Sequence, residues 1–449
     1  MNEISRNLFY SALLSICFLP FSTTHIYAED LLEIYQQAVS ADPTFRAATF
    51  DHVGSRELLK QAYADYLPVV TLDYDKIKTS QDILSSDNPV FNAGSTSFPT
   101  TTWSLTVTQP IFRYANYVRV GQAKTELRQA DAQKILAQQD LILRAAETYI
   151  LALGAEDLMT FIKAQQSAVI KQLELARGKE QARTGRLVDR LDAEARMASV
   201  EADLADAEVS LRDAYQAVFE LTGTTPKRLA ALGKNLDLVE PSPSGVSHWV
   251  ELAEKQNPTL QSQRHAVEIA QQEVSRQNAG HMPTLDLVLR ESNRDTGSTL
   301  FGGGSNVDTQ ELMLRLSLPL YQGGSVSSKK RQAIARQYSA MEDLVRLQRQ
   351  SRRQTQDAYW GVQTAIKRVA SLEKAVIAQQ ETLSLKQASF ENGLNTALTV
   401  LDAERDLYSA RKDFAKARYD YLLNGLRLKA QVGVLVEADL LAINQWLQP

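Results

Sequence analysis

The sequence predicts a mainly α-helical protein with a smaller β part, built by internal duplication of one module. Three observations predict this class. Landmark residues recur at matching offsets in the two halves of the chain. No proline interrupts the segments from Pro110 to Pro226 and from Pro319 to Pro449, which favours very long helices. Between other prolines, apolar and polar residues alternate with the period of a strand.

Residues 1–28 have the layout of a secretory signal peptide. One cation, Arg6, precedes the uncharged stretch Leu8–Leu19, and a polar run then ends at Ala28. An uncleaved anchor helix is the alternative, but the apolar stretch is too short for a bilayer core of roughly 30 Å. We therefore expect export, with cleavage after Ala28.

Charge and composition exclude several classes of function. The 449 residues have a formal net charge of −4, so no positive excess is available to hold nucleic acid. The only cysteine, Cys17, lies in the predicted signal peptide, which excludes disulfides and thiolate metal sites afterwards. The histidines lack partners at the spacing of metal ligands or of a catalytic triad. We expect no catalytic residue, no metal and no cofactor. The histidines are His25, His52, His248, His265 and His281.

The duplication is visible in the spacing of prolines. Pro43 and Pro68 are 25 residues apart, and so are Pro258 and Pro283. We assign residues 29–240 to the first repeat and residues 248–449 to the second. The Pro/Ser/Gly-rich stretch 241–247 is the predicted linker.

Each repeat contains two predicted strands with one apolar and one polar face. Pro68 and Pro110 are expected to bracket the first pair, because proline cannot donate to a strand ladder. Polar loops are expected at Ser80–Phe98 and Arg294–Val307. The predicted strands are 69–78, 100–109, 284–293 and 308–318.

The strands fit either an amphipathic sheet over a soluble core or a lipid-facing barrel. We favour the barrel, because the flanking helices offer no comparably apolar face and the strands are long enough to cross a bilayer. Four strands cannot close by themselves, since the smallest membrane barrels have about eight. Two copies would supply eight strands and three would supply 12; the larger count leaves room for a pore.

A very long helical hairpin follows each strand pair, at about 113–222 and 322–432. The apolar positions form two seams per helix, which favours neighbours on both flanks and hence a cylinder of helices. Gly185 and Gly393 are predicted to stop the outgoing helices, so the chain turns back at the end farthest from the strands.

Three segments resemble the TolC family of outer-membrane efflux and type I secretion channels: Gly280–Leu287, Leu316–Gly324 and Gly393–Lys429. The resemblance implies a homotrimer with a 12-stranded barrel in outer-membrane lipid and a long helical barrel in the periplasm. It also implies an equatorial belt around Ala230–Pro243 and the C-terminus. The implied function is a passive exit duct, not an enzyme, that docks a periplasmic adaptor and an inner-membrane transporter. Drugs, toxins and proteins all stay open as cargo.

The resemblance further implies a ring of carboxylates that faces the lumen at the hairpin tips. Asp402 matches one acidic position of the second tip, whereas Thr399 occupies the other. Asp189 and Asp192 are the candidates on the first tip. The alternative for Asp402 is an ordinary solvated aspartate on a helix face.

The family ties its tips together through a tyrosine and an arginine, but Phe390 and Asn395 stand at those positions here. Only Asp189 keeps the expected residue type, so the tie cannot form with the same atoms. We expect Arg186 or Arg190 to supply the missing cation. Two other classes are alternatives: a structural periplasmic coiled-coil protein without channel activity, and an adaptor, which would need only one hairpin.

Overall fold

A computed structural model describes residues 28–85, 94–233, 235–298 and 303–448. The predicted signal peptide, with Cys17 and His25, lies outside the described residues except for Ala28. The middles of both predicted polar loops lie outside them as well.

Over its described residues, the first repeat contains four helices and two long strands, followed by a two-residue strand. Its elements are α1 (Leu31–Ala41), α2 (Pro43–Ala64), β1 (Val69–Ile83), β2 (Gly94–Arg113), α3 (Tyr114–Gln181), α4 (Leu187–Thr222) and β3 (Ala231–Leu232).

The second repeat has the same order of elements and then a short C-terminal extension. Its elements are α5 (Val246–Gln256), α6 (Pro258–Asn278), β4 (Thr284–Thr296), β5 (Ser305–Ser317), α7 (Ser325–Glu391), α8 (Ala397–Val432), α9 (Glu437–Asn444) and β6 (Leu447–Gln448). Helix α5 begins inside the predicted linker 241–247, because Val246 and the residues after it continue an apolar helical face that packs into the core.

The two repeats begin their second helices with the same capping chemistry. The Asp42 carboxylate accepts a hydrogen bond from the backbone N–H of Phe45 at 2.7 Å, and the Asn257 side chain accepts one from Thr259 at 2.8 Å. Proline follows each cap at the first helical position, where its missing N–H costs nothing. The internal duplication is therefore structural as well as sequential.

The long strands form one antiparallel sheet in the order β1-β2-β4-β5. Opposed pairs such as Leu72 with Leu105 and Leu289 with Leu312 place the apolar side chains on one face. This face is exposed in the protomer. Its large apolar members are Val70, Leu72, Tyr74, Trp103, Leu105, Leu289, Leu312, Leu314 and Leu316. The opposite face is polar and concave, lined among others by Thr102, Arg290, Ser292 and Arg294.

The strands are longer than the predicted 69–78, 100–109 and 284–293, and Pro110 does not end β2. The strand continues to Arg113 through a register shift between Pro110 and Phe112. A bulge tolerates proline because the ladder hydrogen bond is already interrupted there. At the far ends the strands continue into the predicted polar loops, so that Ile83 pairs with Gly94 and Thr296 with Ser305.

The long helices pack side by side and form a second layer. With 68 residues, α3 is roughly 100 Å long. Toward the hairpin tips, α3 packs between α4 and α8, and α8 packs against α7. Toward the strands, α3 packs between α2 and α6, and α6 packs against α7. One edge of this layer is therefore α4 or α2, and the other edge is α7. No helix in the described part of the chain is long and apolar enough to cross a membrane.

An equatorial layer, formed by α1, α5, α9 and the β3–β6 pair, packs on the middle of α3 and on the C-terminal part of α8, and the main apolar core lies between this layer and the long helices. The Tyr149 hydroxyl donates to the carbonyls of Ala230 at 2.8 Å and Glu29 at 3.2 Å. Its counterpart in the second repeat, Tyr359, accepts from the N–H of Gly245 at 3.0 Å. Strand β3, helix α9 and strand β6 fall within the segments in which the belt is predicted.

Candidate functional site

The first hairpin tip is a tight turn that requires Gly185. Its N–H donates to the carbonyl of Lys179 at 2.8 Å, and a Cβ on residue 185 would lie 2.8 Å from the Cβ of Lys179. The left-handed residue of this turn is Arg183, with φ 59°. Gly185 is thus needed for close approach rather than for a positive φ.

The second tip uses glycine for its backbone conformation. Gly393 has φ 74°, and the following N–H, from Leu394, donates to the carbonyl of Ser389 at 2.9 Å. Thr396 caps α8, and the Thr399 hydroxyl donates back to the carbonyl of Thr396 at 2.7 Å. Thr399 therefore stabilises the start of α8.

The two tips meet around a cavity of about 340 Å³. Asp189, Phe390 and Asn395 all line it, so the structure brings together three positions that the resemblance singles out. The Lys179 ammonium lies 4.0 Å from the centroid of the Phe390 ring, and Phe390 is only 9% exposed. This cation–π contact joins the end of α3 to the end of α7.

The arginines of the first tip are engaged within their own hairpin. Arg186 makes a two-pronged pair with Asp189, with distances of 2.8 and 3.1 Å. Arg190 contacts Glu180 at 2.7 Å and Glu194 at 2.9 Å. Arg190, the stronger partner, and Arg177 hold the pKa of Glu194 below its usual range. Asp189 is thus paired by Arg186 within the first tip, and in this protomer neither arginine is paired with the second tip.

Asp402 lies one turn and a half into α8, outside the cavity between the tips. Its side chain is 44% exposed, and its carboxylate is 3.4 Å from Arg405. Asp192 lies on α4, half-buried and close enough to Arg186 to interact electrostatically. A lumen ring involves several copies around an axis, so Asp402, Asp189, Asp192 and Thr399 keep that role as a prediction.

Sequence reasoning missed two features near the tips. Lys179 was not predicted, because nothing local links it to Phe390. Glu404 is 4% exposed, and the Gln387 amide lies 3.5 Å from its carboxylate. Burial raises the pKa of Glu404, while Arg196 on α4 opposes the shift. A signal existed, since Glu404 occupies an apolar helical position between Val400 and Leu407.

The two hairpin tips are joined by non-covalent contacts, which can break and re-form. Within the described ranges, no group of three or more His, Cys, Asp or Glu side chains could hold a metal ion. Arg186 and Arg190 are held in ion pairs, Lys179 contacts the Phe390 ring, and backbone hydrogen bonds hold the turns. Such a site suits parting and closing of the two hairpins.

Comparison with solved structures defines the class of protein. The Campylobacter jejuni CmeC outer membrane channel matches with a TM-score of 0.80 and 13% identity, over 93% of this chain and 90% of that one. The fold is therefore that of an outer-membrane channel protomer. The chain belongs to the outer membrane efflux protein family, whose sequence profile matches residues 34–224 and 249–434.

Relatives agree with this family. The outer membrane protein TolC of Escherichia coli strain K12 is 30% identical over 430 residues, which are 94% of this chain and 85% of TolC. The alkaline protease secretion protein AprF of Pseudomonas aeruginosa is 28% identical over 416 residues, 92% of this chain and 86% of AprF.

The resemblance to TolC-type channels is confirmed. The chain is an outer-membrane exit duct for efflux and secretion, with its helical part in the periplasm. Nothing in the comparisons supports a purely structural coiled-coil protein.

Proposed function

We propose that three copies of this chain form one passive duct, with a 12-stranded barrel in outer-membrane lipid and a cylinder of helices in the periplasm. The observation that carries this proposal is the pair of sheet edges. Strands β1 and β5 each have a neighbour on one side only among the described residues. Unpaired backbone groups cost several kcal/mol each in hydrocarbon, so the edges must be joined by other copies.

The helices support the same arrangement. At the edge of the helical layer, α4 exposes apolar residues at alternating spacings of four and three, which is a coiled-coil seam without its partner helix. In a ring of copies, the facing edge is α7 of the next chain. The seam residues are Leu191, Ala195, Ala198, Ala202, Ala205 and Val209.

The periplasmic mouth is the gate of this duct. Three copies of Asp402, with Asp189, Asp192 and Thr399 nearby, would surround a narrow opening and favour cations. The Lys179–Phe390 contact keeps the two tips of each chain together, and cargo passes when the hairpins part. The duct performs no chemistry on its cargo.

The working partners are a periplasmic adaptor and an inner-membrane transporter, since a passive duct needs a source of energy elsewhere. The relation to a protein named for alkaline protease secretion supports polypeptides as one cargo class. Membership in an efflux family supports small molecules as another.

Single-channel recording in planar bilayers tests the proposal. The expected result is a trimer in detergent that conducts and is blocked by divalent cations from the periplasmic side. Asp402→Ala should weaken the block, whereas Asp413→Ala on the same helix serves as the matched control. A monomer that does not conduct would refute the proposed assembly.

A further inference from the structure

An open groove of about 590 Å³ lies between the middle of α3 and the C-terminal half of α8. Apolar side chains form its floor: Ile150, Leu151, Leu158 and Phe161 from α3, with Leu423 from α8. Leu151 is 60% exposed although it lies level with the core of the equatorial layer. This volume and lining are typical of a site for a small organic molecule.

The groove lies on the face of the helical layer that is opposite the equatorial layer. Tyr149 points into that layer, because its hydroxyl bonds to the carbonyls of Glu29 and Ala230. Leu151 is two residues further on, which is roughly 200° around the helix. On α8, Tyr421 bonds to Val239 in the equatorial layer, whereas Leu423 lines the groove.

Neighbouring copies leave this groove uncovered. Helices α3 and α8 are the two inner rods of the layer, and contacts with other copies use its edges, α4 and α7. When the layer curves into a cylinder, the bulky equatorial layer must lie outside, because three of them would fill the interior. The groove then faces the lumen.

Some charged side chains of the groove have a partner and others do not. Glu147 is paired with Arg427 at 2.6 Å, and the Tyr419 hydroxyl donates to Asp157 at 2.6 Å. Lys412 and Lys416 are exposed on the rim, and in the described part of the chain neither has a carboxylate within 4.0 Å. Asp420 also lines the groove, and like Asp157 it makes no ion pair among the described residues.

We propose that this groove is a cargo site on the lumen wall that binds an amphipathic anion, with its apolar part on Leu151 and Leu423 and its charge at Lys412 and Lys416. The proposal deepens the proposed function and rests on it for the position in the lumen. Binding itself does not depend on assembly, because one chain supplies every lining residue.

The test uses 8-anilinonaphthalene-1-sulfonate as the probe, titrated into the trimer in lipid nanodiscs, with empty nanodiscs subtracted. We expect saturable binding of one probe per chain. Lys412→Gln combined with Lys416→Gln should weaken binding about 3- to 10-fold, since each rim charge is only partly shielded by water. Asp420→Asn should tighten it.

Leu151→Ser should weaken binding about tenfold through the lost apolar contact. Its matched control is Leu175→Ser, an exposed leucine of α3 outside the groove, and Lys171→Gln is the control for charge. A 1-naphthylmethylammonium probe should bind more weakly than the sulfonate.

Two outcomes would overturn the proposal: equal affinity for the double lysine variant and Lys171→Gln, or equal affinity for Leu151→Ser and Leu175→Ser. These failures are separable from failure of the duct. A protein that conducts as a trimer but lacks the site loses only this inference, whereas a monomer that still binds the probe loses only the assembly.

Discussion

Removing the charge of Lys179 should make the periplasmic mouth open more often. Lys179→Met keeps the length and apolar character of the side chain but abolishes the cation–π contact, whose ammonium lies 4.0 Å from the ring of Phe390. Such contacts contribute about 0.5 kcal/mol when exposed and about 2 when desolvated. With Phe390 buried and Lys179 half-buried, about 1 kcal/mol is appropriate here.

That value predicts a shift of about fivefold in the closed-to-open ratio of each chain, at 1.4 kcal/mol per factor of ten. If three copies part together, the contributions add to about 3 kcal/mol, or roughly a hundredfold. The assay is open probability in planar bilayers. Lys171→Met, two turns earlier on α3, is the matched control, because its side chain is exposed and outside the contact.

A double-mutant cycle isolates the contact itself. Phe390→Leu removes the ring while keeping an apolar side chain, and Phe390→Tyr keeps the ring as a positive control. Coupling between Lys179→Met and Phe390→Leu of about 0.5 to 1 kcal/mol per chain is expected. If Lys179→Met gates like Lys171→Met, or the two substitutions are additive, the contact does not hold the tips.

Three further predictions concern stability. Burial raises the pKa of Glu404, so the folded protein is most stable when this carboxyl is neutral, and stability is lost as the pH rises through its pKa in the folded state. Glu404→Gln should therefore be more stable than wild type at pH 8 and equal to it at pH 4, as measured by thermal unfolding. Gly185→Ala should destabilise the first tip by about 1 to 3 kcal/mol through its clash, whereas Gly178→Ala, with open space around the new Cβ, should stabilise α3 by about 0.5 to 1; hydrogen exchange at the tip distinguishes them. Tyr149→Phe should lower the free energy of unfolding by about 1 to 3 kcal/mol, measured with urea, since the Ala230 carbonyl loses a buried donor; no change would mean that water replaces it.

The strands show what the sequence could and could not predict. Alternation of Leu312, Leu314 and Leu316 located β5, because apolar side chains mark the face toward lipid. Beyond the apolar band both faces are polar, so period two carries no signal there. The outer ends were therefore missed, although side-chain contacts such as Ser95 with Asp82 accompany the pairing.

At the hairpin tips, features set by neighbouring residues could be predicted from the sequence, whereas contacts between distant positions could not. Gly393 was predicted as a helix stop, and it adopts the left-handed conformation that favours glycine. The Lys179–Phe390 contact joins two different repeats, and no spacing rule relates positions so far apart. Glu404 could have been singled out, since a carboxylate in an apolar stripe is an exception that burial must accommodate.

The equatorial layer joins the two ends of the described chain, and this affects the order in which the chain can fold. Asn444 donates to Asp30 at 2.6 Å across a sequence separation of 414 residues. Helix α1 can pack on α3 and α4 as soon as these helices have been made, but its contact with α9 must wait until almost the whole chain is present. The equatorial layer is therefore completed last, and a fusion placed at the far terminus would delay its completion more than one inserted in a surface loop.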